Sequence, residues 1–224
     1  RSTLFPYTTL FRSRTGEAFR PFCDFGDAPD SYDPDPWSPA VHERDTSLRL
    51  GPTFDREWLK ISSIDATADG SDEDGIGTVP LFDPTSSTYN TQVSVYNNTD
   101  TVATVIGWLD YNGNGLFDVS EASVPVSVPP GASSQNIFLN WTGISSSLPV
   151  GSYTYLRIRL VSASYPMDAG DATGYYDGGE TEDYRVIIDN TILPVTLISF
   201  DAKAINNSKV KLAWAASEIG RAHV

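Results

Sequence analysis

The stretch Asp110-Tyr111-Asn112-Gly113-Asn114-Gly115-Leu116-Phe117-Asp118-Val119-Ser120-Glu121 carries the clearest chemistry in this chain. Oxygen-bearing side chains stand at the first, third, fifth and ninth of twelve positions, glycine at the sixth, and glutamate closes the twelfth. Calcium is a hard ion that takes about 6–8 oxygens, and this alternation aims many of them at one centre. Asp110, Asn112, Asn114, Asp118 and Glu121 would supply side-chain oxygens, Asp118 through a water, and Leu116 its carbonyl. Asn, Gly and Asp also make tight turns. A turn, however, requires neither Asp118 nor Glu121. Calcium is therefore the expected cofactor, bound with an affinity on the order of 10⁻⁴–10⁻³ M because few formal charges face it.

The elements on either side decide what such a loop could do. Thr104-Val-Ile-Gly-Trp108 leads in and Ser123-Val-Pro-Val-Ser-Val128 leads out, both with strand chemistry. A calcium sensor needs a pair of helices that can open. Between strands, the ion is expected to brace.

Three further acidic clusters punctuate the chain. Asp24, Asp27 and Asp30 recur at three-residue spacing, Asp65 to Asp74 holds a second group, and Asp168 to Asp183 a third. The ends of a sandwich often lie close together. The sequence thus predicts a second cation site drawn from Asp24, Asp27, Asp72, Asp74, Glu180, Glu182 and Asp183. The competing expectation is that Asp24 or Asp27 caps turns. Trp37, Trp58, Trp108, Trp141, Tyr175 and Tyr176 offer rings on which a glycan could stack. Trp108 and Trp141 sit on strand patterns and are expected in the core, which leaves Tyr175 and Tyr176 as the better candidates. Cys23 is the sole cysteine, so no internal disulfide can form, and a bland thiol is expected there.

The formal charge is −14. Such an acid excess argues against nucleic-acid partners and anionic membranes, which need clustered Lys and Arg. No run approaches the roughly 18 apolar residues of a membrane span. Residues 22–58 show little periodicity and several prolines, and read as a long irregular loop region with at most one short helix or strand. From Thr78 onward, strand patterns recur between turn signals, at 79–82, 92–96, 103–109, 124–128, 136–141, 153–161 and 183–188. In the clearest of these, Leu156, Ile158 and Leu160 point inward, with Tyr155, Arg157 and Arg159 outward. The expected fold is all-β, an antiparallel β-sandwich of jelly-roll or immunoglobulin-like type.

Four motifs in order, at 24–32, 72–75, 107–115 and 179–184, resemble the GEVED domain of bacterial secreted and cell-surface proteins. Thr181 stands where the naming motif has Val. The resemblance spans 22–189 and implies a non-catalytic sandwich module at an extracellular location. Residues 190–218 are similar to the first strands of a fibronectin type III-like domain, as found before type IX secretion sorting domains in Bacteroidetes. Such a truncated piece is expected either to pack poorly or to dock on the main domain. Residues 1–13 and 219–224 resemble translated sequencing adapters, with 14–21 as linker, so the natural sequence is expected to be a fragment.

Acids this numerous give no unique catalytic pair, and no HExxH, GxSxG, CxxC or phosphate-binding glycine loop is present. The sequence therefore reads as a calcium-stabilised structural or adhesive module, with an extracellular glycan or surface protein as partner. The alternative is a carbohydrate-binding module accessory to a secreted hydrolase.

Overall fold

The computed structural model describes residues 11–12, 18–19, 23–43, 45–53, 57, 59–67, 74–190, 195–206 and 209–218. In chain order its strands are β1 (Phe11–Arg12), β2 (Ala18–Phe19), β3 (Cys23–Phe25), β4 (Val41–Glu43), β5 (Leu48–Leu50), β6 (Thr88–Asn97) and β7 (Ala103–Leu109). They continue as β8 (Val126–Val128), β9 (Gln135–Thr142), β10 (Tyr153–Ser162), β11 (Tyr175–Tyr176), β12 (Glu180–Ile187), β13 (Val195–Asn206) and β14 (Lys209–Glu218).

Two antiparallel sheets, ordered β5-β6-β9 and β12-β10-β7-β8, face each other across the main core. With these seven strands lettered A, B, C, C′, E, F and G, the sheets read A-B-E and C′-C-F-G. This is the immunoglobulin-like alternative rather than the jelly roll. The core follows from period-two alternation. Leu156, Ile158 and Leu160 of β10 meet Val93 and Val95 of β6, Val105 and Leu109 of β7, and Leu139 and Trp141 of β9.

A third layer covers the other face of the larger sheet. Here β3 pairs with β4 antiparallel and β11 joins β4 in parallel. The segment from Cys23 to Val41, with its 3-10 turn at Asp30–Tyr32, lies over β10 and β12 like a strap. This corrects two sequence-based expectations. The N-terminal region contains three short strands, β3 to β5. Tyr155, Arg157 and Arg159, expected to face solvent, are buried, the first two beneath the strap and Arg159 beneath His42 and residues 171–174, both arginines completely. The alternation was read correctly, but the outer face has a cover built of residues distant in the chain.

Proline sets two strand boundaries. Pro80 cannot donate a ladder bond, and the strand expected at 79–82 is reduced to one parallel bridge between Phe82 and Ile188. The strand expected from Val124 begins only after Pro125. At the carboxyl end, β13 and β14 pair antiparallel. Whether that pair docks on the sandwich depends on side chains outside the described residues. Residues 219–224 and most of 1–13 also lie outside them.

Candidate functional site

The loop 110–121 leaves β7, whose neighbour β10 anchors its first residue. Asp110 donates its backbone N–H to the Tyr155 carbonyl at 3.1 Å. Thr154 Oγ1 donates to the Asp110 carbonyl at 2.5 Å. From that base the chain folds by successive Asx turns, in which Asn114 N donates to Asn112 Oδ1 and Leu116 N to Asn114 Oδ1, at 2.8 and 2.9 Å. Gly115 takes φ 79°, a left-handed conformation that any other residue would hold under strain, and its N–H reaches Asp110 Oδ2 at 3.1 Å. The first and sixth loop positions are thereby tied together.

The potential ligands converge. Asp118 Oδ2 accepts from the side-chain amides of Asn112 and Asn114 at 2.9 and 2.8 Å, so positions three, five and nine share one small volume. Rotating either amide would present its oxygen in place of its nitrogen. Glu121, completely buried, accepts from Asn112 N at 3.1 Å and Asp118 N at 3.0 Å, closing the loop on itself. Burial raises its pKa to about 7, and the charges of Asp110 and Asp118 push the same way. Carboxylates gathered in this manner are relieved by a cation. The donor set of Asp110, Asn112, Asn114, the Leu116 carbonyl, Asp118 and Glu121 fits a hard, oxygen-seeking ion.

The strap holds this loop from outside. Tyr32 donates its hydroxyl to Asp110 Oδ2 at 2.6 Å. Its ring packs on Phe117 and Tyr155 at centroid distances of 4.5 and 5.0 Å. Burial and then the Asp110 carboxylate push the phenol pKa upward, so Tyr32 remains a donor.

The residues expected to form a second cation site are dispersed among separate tasks. Asp24 Oδ2 accepts Thr181 N at 2.6 Å. Glu180 accepts Leu50 N. Glu182 takes Asp74 N, Gly75 N and the Tyr184 hydroxyl at 3.1, 3.0 and 2.6 Å. Asp74 is held by the Thr53 hydroxyl. Asp183 faces the opposite side of β12, accepting Ala28 N at 2.8 Å and the Arg157 guanidinium. Asp27 is buried within the strap. Asp72 lies outside the described residues, as does Trp58. Among the described residues no group of three or more His, Cys, Asp or Glu side chains is poised around one metal position. Asn112 and Asn114 of the loop 110–121 are amides and stand outside that set.

Sequence reasoning missed an ionic layer between strap and sheet. Arg157 bonds Asp183 Oδ1 at 2.8 Å and Oδ2 at 2.7 Å, and Asp33 Oδ1 at 2.8 Å and Oδ2 at 3.1 Å, so both carboxylates grip it in paired fashion. Burial opposes its charge, but Asp183 and Asp33 outweigh burial and hold its pKa above the ordinary value. Gly26 runs so close that a β-carbon there would sit 2.5 Å from Arg157 Nη2. Arg159, next along the face, is held by a different set: His42 Nε2 at 3.0 Å and the carbonyls of Asp171, Thr173 and Gly174. Burial, then the nearby Arg157, lowers its pKa to about 9. His42 donates Nδ1–H to the Gly178 carbonyl at 3.1 Å and accepts at Nε2. Burial and Arg159 hold it neutral, its pKa well below the usual value. Only the doubled acidic motifs at 24–33 and 180–183 hinted that buried cations would need partners.

Tyr175 and Tyr176, adjacent in β11, have different surroundings. Tyr176 is occupied, stacked on His42 at 5.6 Å with the Arg159 guanidinium 4.9 Å from its ring centre. Tyr175 stays partly exposed and donates to Glu43 Oε2 at 2.7 Å. Trp108 and Trp141 are buried, as expected. Cys23 is buried and forms no disulfide. No helix among the described residues is long and apolar enough to cross a membrane.

Residues 104–187 match the family model of the GEVED domain. The match covers less than half of the chain and takes in the motifs at 107–115 and 179–184, leaving the strap outside. No curated protein matches the chain. Among solved structures it is similar to the CsuC–CsuE chaperone–tip adhesion subunit pre-assembly complex from archaic chaperone-usher Csu pili of Acinetobacter baumannii. The two are 14% identical, over 61% of this chain and 73% of that one, with a TM-score of 0.25.

Proposed function

We propose that this chain is a non-catalytic, calcium-stabilised structural or adhesive module of a secreted or cell-surface bacterial protein. The observation that carries the reading is the convergence of Asn112 and Asn114 on Asp118, inside a loop whose ends Glu121 clamps. Bound there, calcium would supply positive charge that neutralises Asp110, Asp118 and Glu121. The side chains of Asp110, Asn112, Asn114, Asp118 and Glu121 and the Leu116 carbonyl would hold it. Because Asp110 also anchors Tyr32, the same ion would steady the strap. The GEVED match supports the extracellular setting. The absence of catalysis is supported by the use of Glu180, Glu182 and Asp183 as structural acceptors of backbone N–H groups or of arginine.

Titration calorimetry and thermal melts with calcium test this. An ion bound at tenfold its dissociation constant stabilises by about 1.4 kcal/mol, which for a domain of this size raises Tm by about 3–6 °C. Asp118→Ala should abolish both the heat and the shift. A flat titration and an unmoved Tm at about 10 mM calcium, well above the affinity expected of extracellular modules, would sink the reading.

A further inference from the structure

Against the strap, and sharing no residue with the loop 110–121, a cavity of about 720 Å³ is lined by Asp30, Asp33, Pro34 and Trp37 of the strap, by 59–62, and by Tyr175. That volume falls inside the usual span of small-ligand sites, about 300–1,000 Å³. Two features set it apart.

The first is a pair of rings. Trp37 is 62% exposed and Tyr175 40%, in a protein that buries Trp108 and Trp141 to 0% and 3%. Both rings are presented on fixed backbone. Asp35 Oδ1 accepts Trp37 N at 2.9 Å, and Ser38 N closes the turn on the Asp35 carbonyl at 2.9 Å. Pro34, Pro36 and Pro39 restrict the same segment. Tyr175 is steadied through Glu43. Rings carried on a backbone ordered before a ligand arrives lose less entropy on binding than rings on a mobile loop.

The second is a polar string in the same lining. Ser62 Oγ donates to Asp30 Oδ1 at 2.6 Å, and the Lys60 ammonium bonds Ser62 at 2.5 Å and lies 3.4 Å from Asp30 and 3.3 Å from Asp33. Asp30 presents its carboxylate to solvent, its side chain 93% exposed. These groups restrict the chemistry of an occupant. A purely apolar ligand would desolvate the string without replacing its water, which is costly. An anion would meet Asp30 and a chain of charge −14. A cation would compete with Lys60 and Arg157, which already neutralise Asp33. A pyranose satisfies both features, having C–H faces that lie on rings and hydroxyls that both donate and accept at its edge.

We propose that this cavity binds a neutral saccharide, with Trp37 and Tyr175 against the sugar rings and Asp30, Lys60 and Ser62 on their hydroxyls. The site uses no residue of the loop 110–121, so it stands or falls independently of the calcium reading. The test titrates cellotriose, xylotriose, mannotriose and chitotriose into the full chain, with trigalacturonate as the anionic counterpart, following heat and tryptophan fluorescence. At least one neutral trisaccharide is expected to bind and to perturb Trp37 emission. Trp37→Ala and Tyr175→Ala should each weaken that binding at least about tenfold with Tm unchanged, while Phe138→Ala, a substitution of an exposed ring elsewhere, leaves it intact. The proposal is overturned if no neutral trisaccharide binds by about 10 mM, if trigalacturonate binds as tightly, or if both ring variants bind like the parent.

Discussion

Along the middle of β10 the two faces of the larger sheet are both buried but by opposite chemistry, whereas over β7 the outer face is apolar too, through Ile106 and Trp108. On β10, Leu156, Ile158 and Leu160 enter an apolar core, while the alternating Arg157 and Arg159 enter a layer of carboxylates, carbonyls and one neutral imidazole. The pairing with β12 carries the division across only in part, since the inner face of β12 also holds Glu180 and Glu182, each satisfied by backbone N–H groups. Ile158 stands opposite Glu182 and Leu156 opposite Tyr184 on the inner face, whereas Arg157 stands opposite Asp183 on the outer. Apolar burial needs only volume and is tolerant of detail. Buried charge needs every partner present, because an ion left alone keeps its desolvation cost and loses the compensation. The inner face should therefore fail gradually, and the outer face abruptly.

The sharpest way to break this contrast is Asp183→Ala, which strips two of the bonds to Arg157 and the acceptor of Ala28 N. A loss of about 3–5 kcal/mol is expected in urea unfolding. Arg157→Met in that background should recover part of it, since the orphaned charge is then gone. Leu156→Ala on the inner face is expected to cost about 2–4 kcal/mol, with no such rescue by a second change. A finding that Asp183→Ala is milder than Leu156→Ala would overturn the comparison.

Smaller effects appear with pH, and the two faces should respond with opposite sign. His42 has its folded pKa depressed by burial and Arg159. Its contribution is present above the unfolded value near 6.5 and is lost as pH falls below it. Glu182 has its folded pKa raised by burial to about 8. Its contribution is present below the unfolded carboxylate value and is lost as pH rises through about 8. Each slope is at most about 1.4 kcal/mol per pH unit. Unfolding of the parent compared with His42→Gln and with Glu182→Gln isolates each group. Relative to its variant, the parent should weaken below pH 6.5 in the first comparison and above pH 5 in the second. Parallel curves in either pair would remove that group from the account.

The inner face was legible in the sequence because alternating Leu and Ile at period two have one plausible destination. The loop 110–121 was legible for a related reason, its spacing being local and its glycines marking the turns. The outer face was hidden. Arginine, histidine and aspartate ordinarily indicate solvent, and nothing local tells Arg157 that Asp33 lies against it. The partners of that layer are separated by 117 residues for Arg159 and His42 and by 124 for Arg157 and Asp33. The acidic motifs were visible as motifs, yet their use as acceptors for backbone N–H groups of remote strands depended on the tertiary fold. Trp37 and Tyr175 stood among the rings on which a glycan could stack, with Tyr175 and Tyr176 preferred, but the cavity that Trp37 and Tyr175 share follows from the strap, which aperiodic, proline-rich sequence does not announce.

The strap also sets an order of events in folding. Ala28 N binds Asp183, 155 residues later, and Asp24 binds Thr181 N across 157. At synthesis rates of about 5–20 residues per second the strap emerges roughly 8–30 s before the strand that receives it. Contacts this remote in sequence form late, after their loop-closure entropy has been met by the rest of the fold. The first part of the domain to be made is thus the last to be seated. Until the strap is seated, Arg157 and Asp183 form a charged seam open to water, and closing it is the step that completes the molecule.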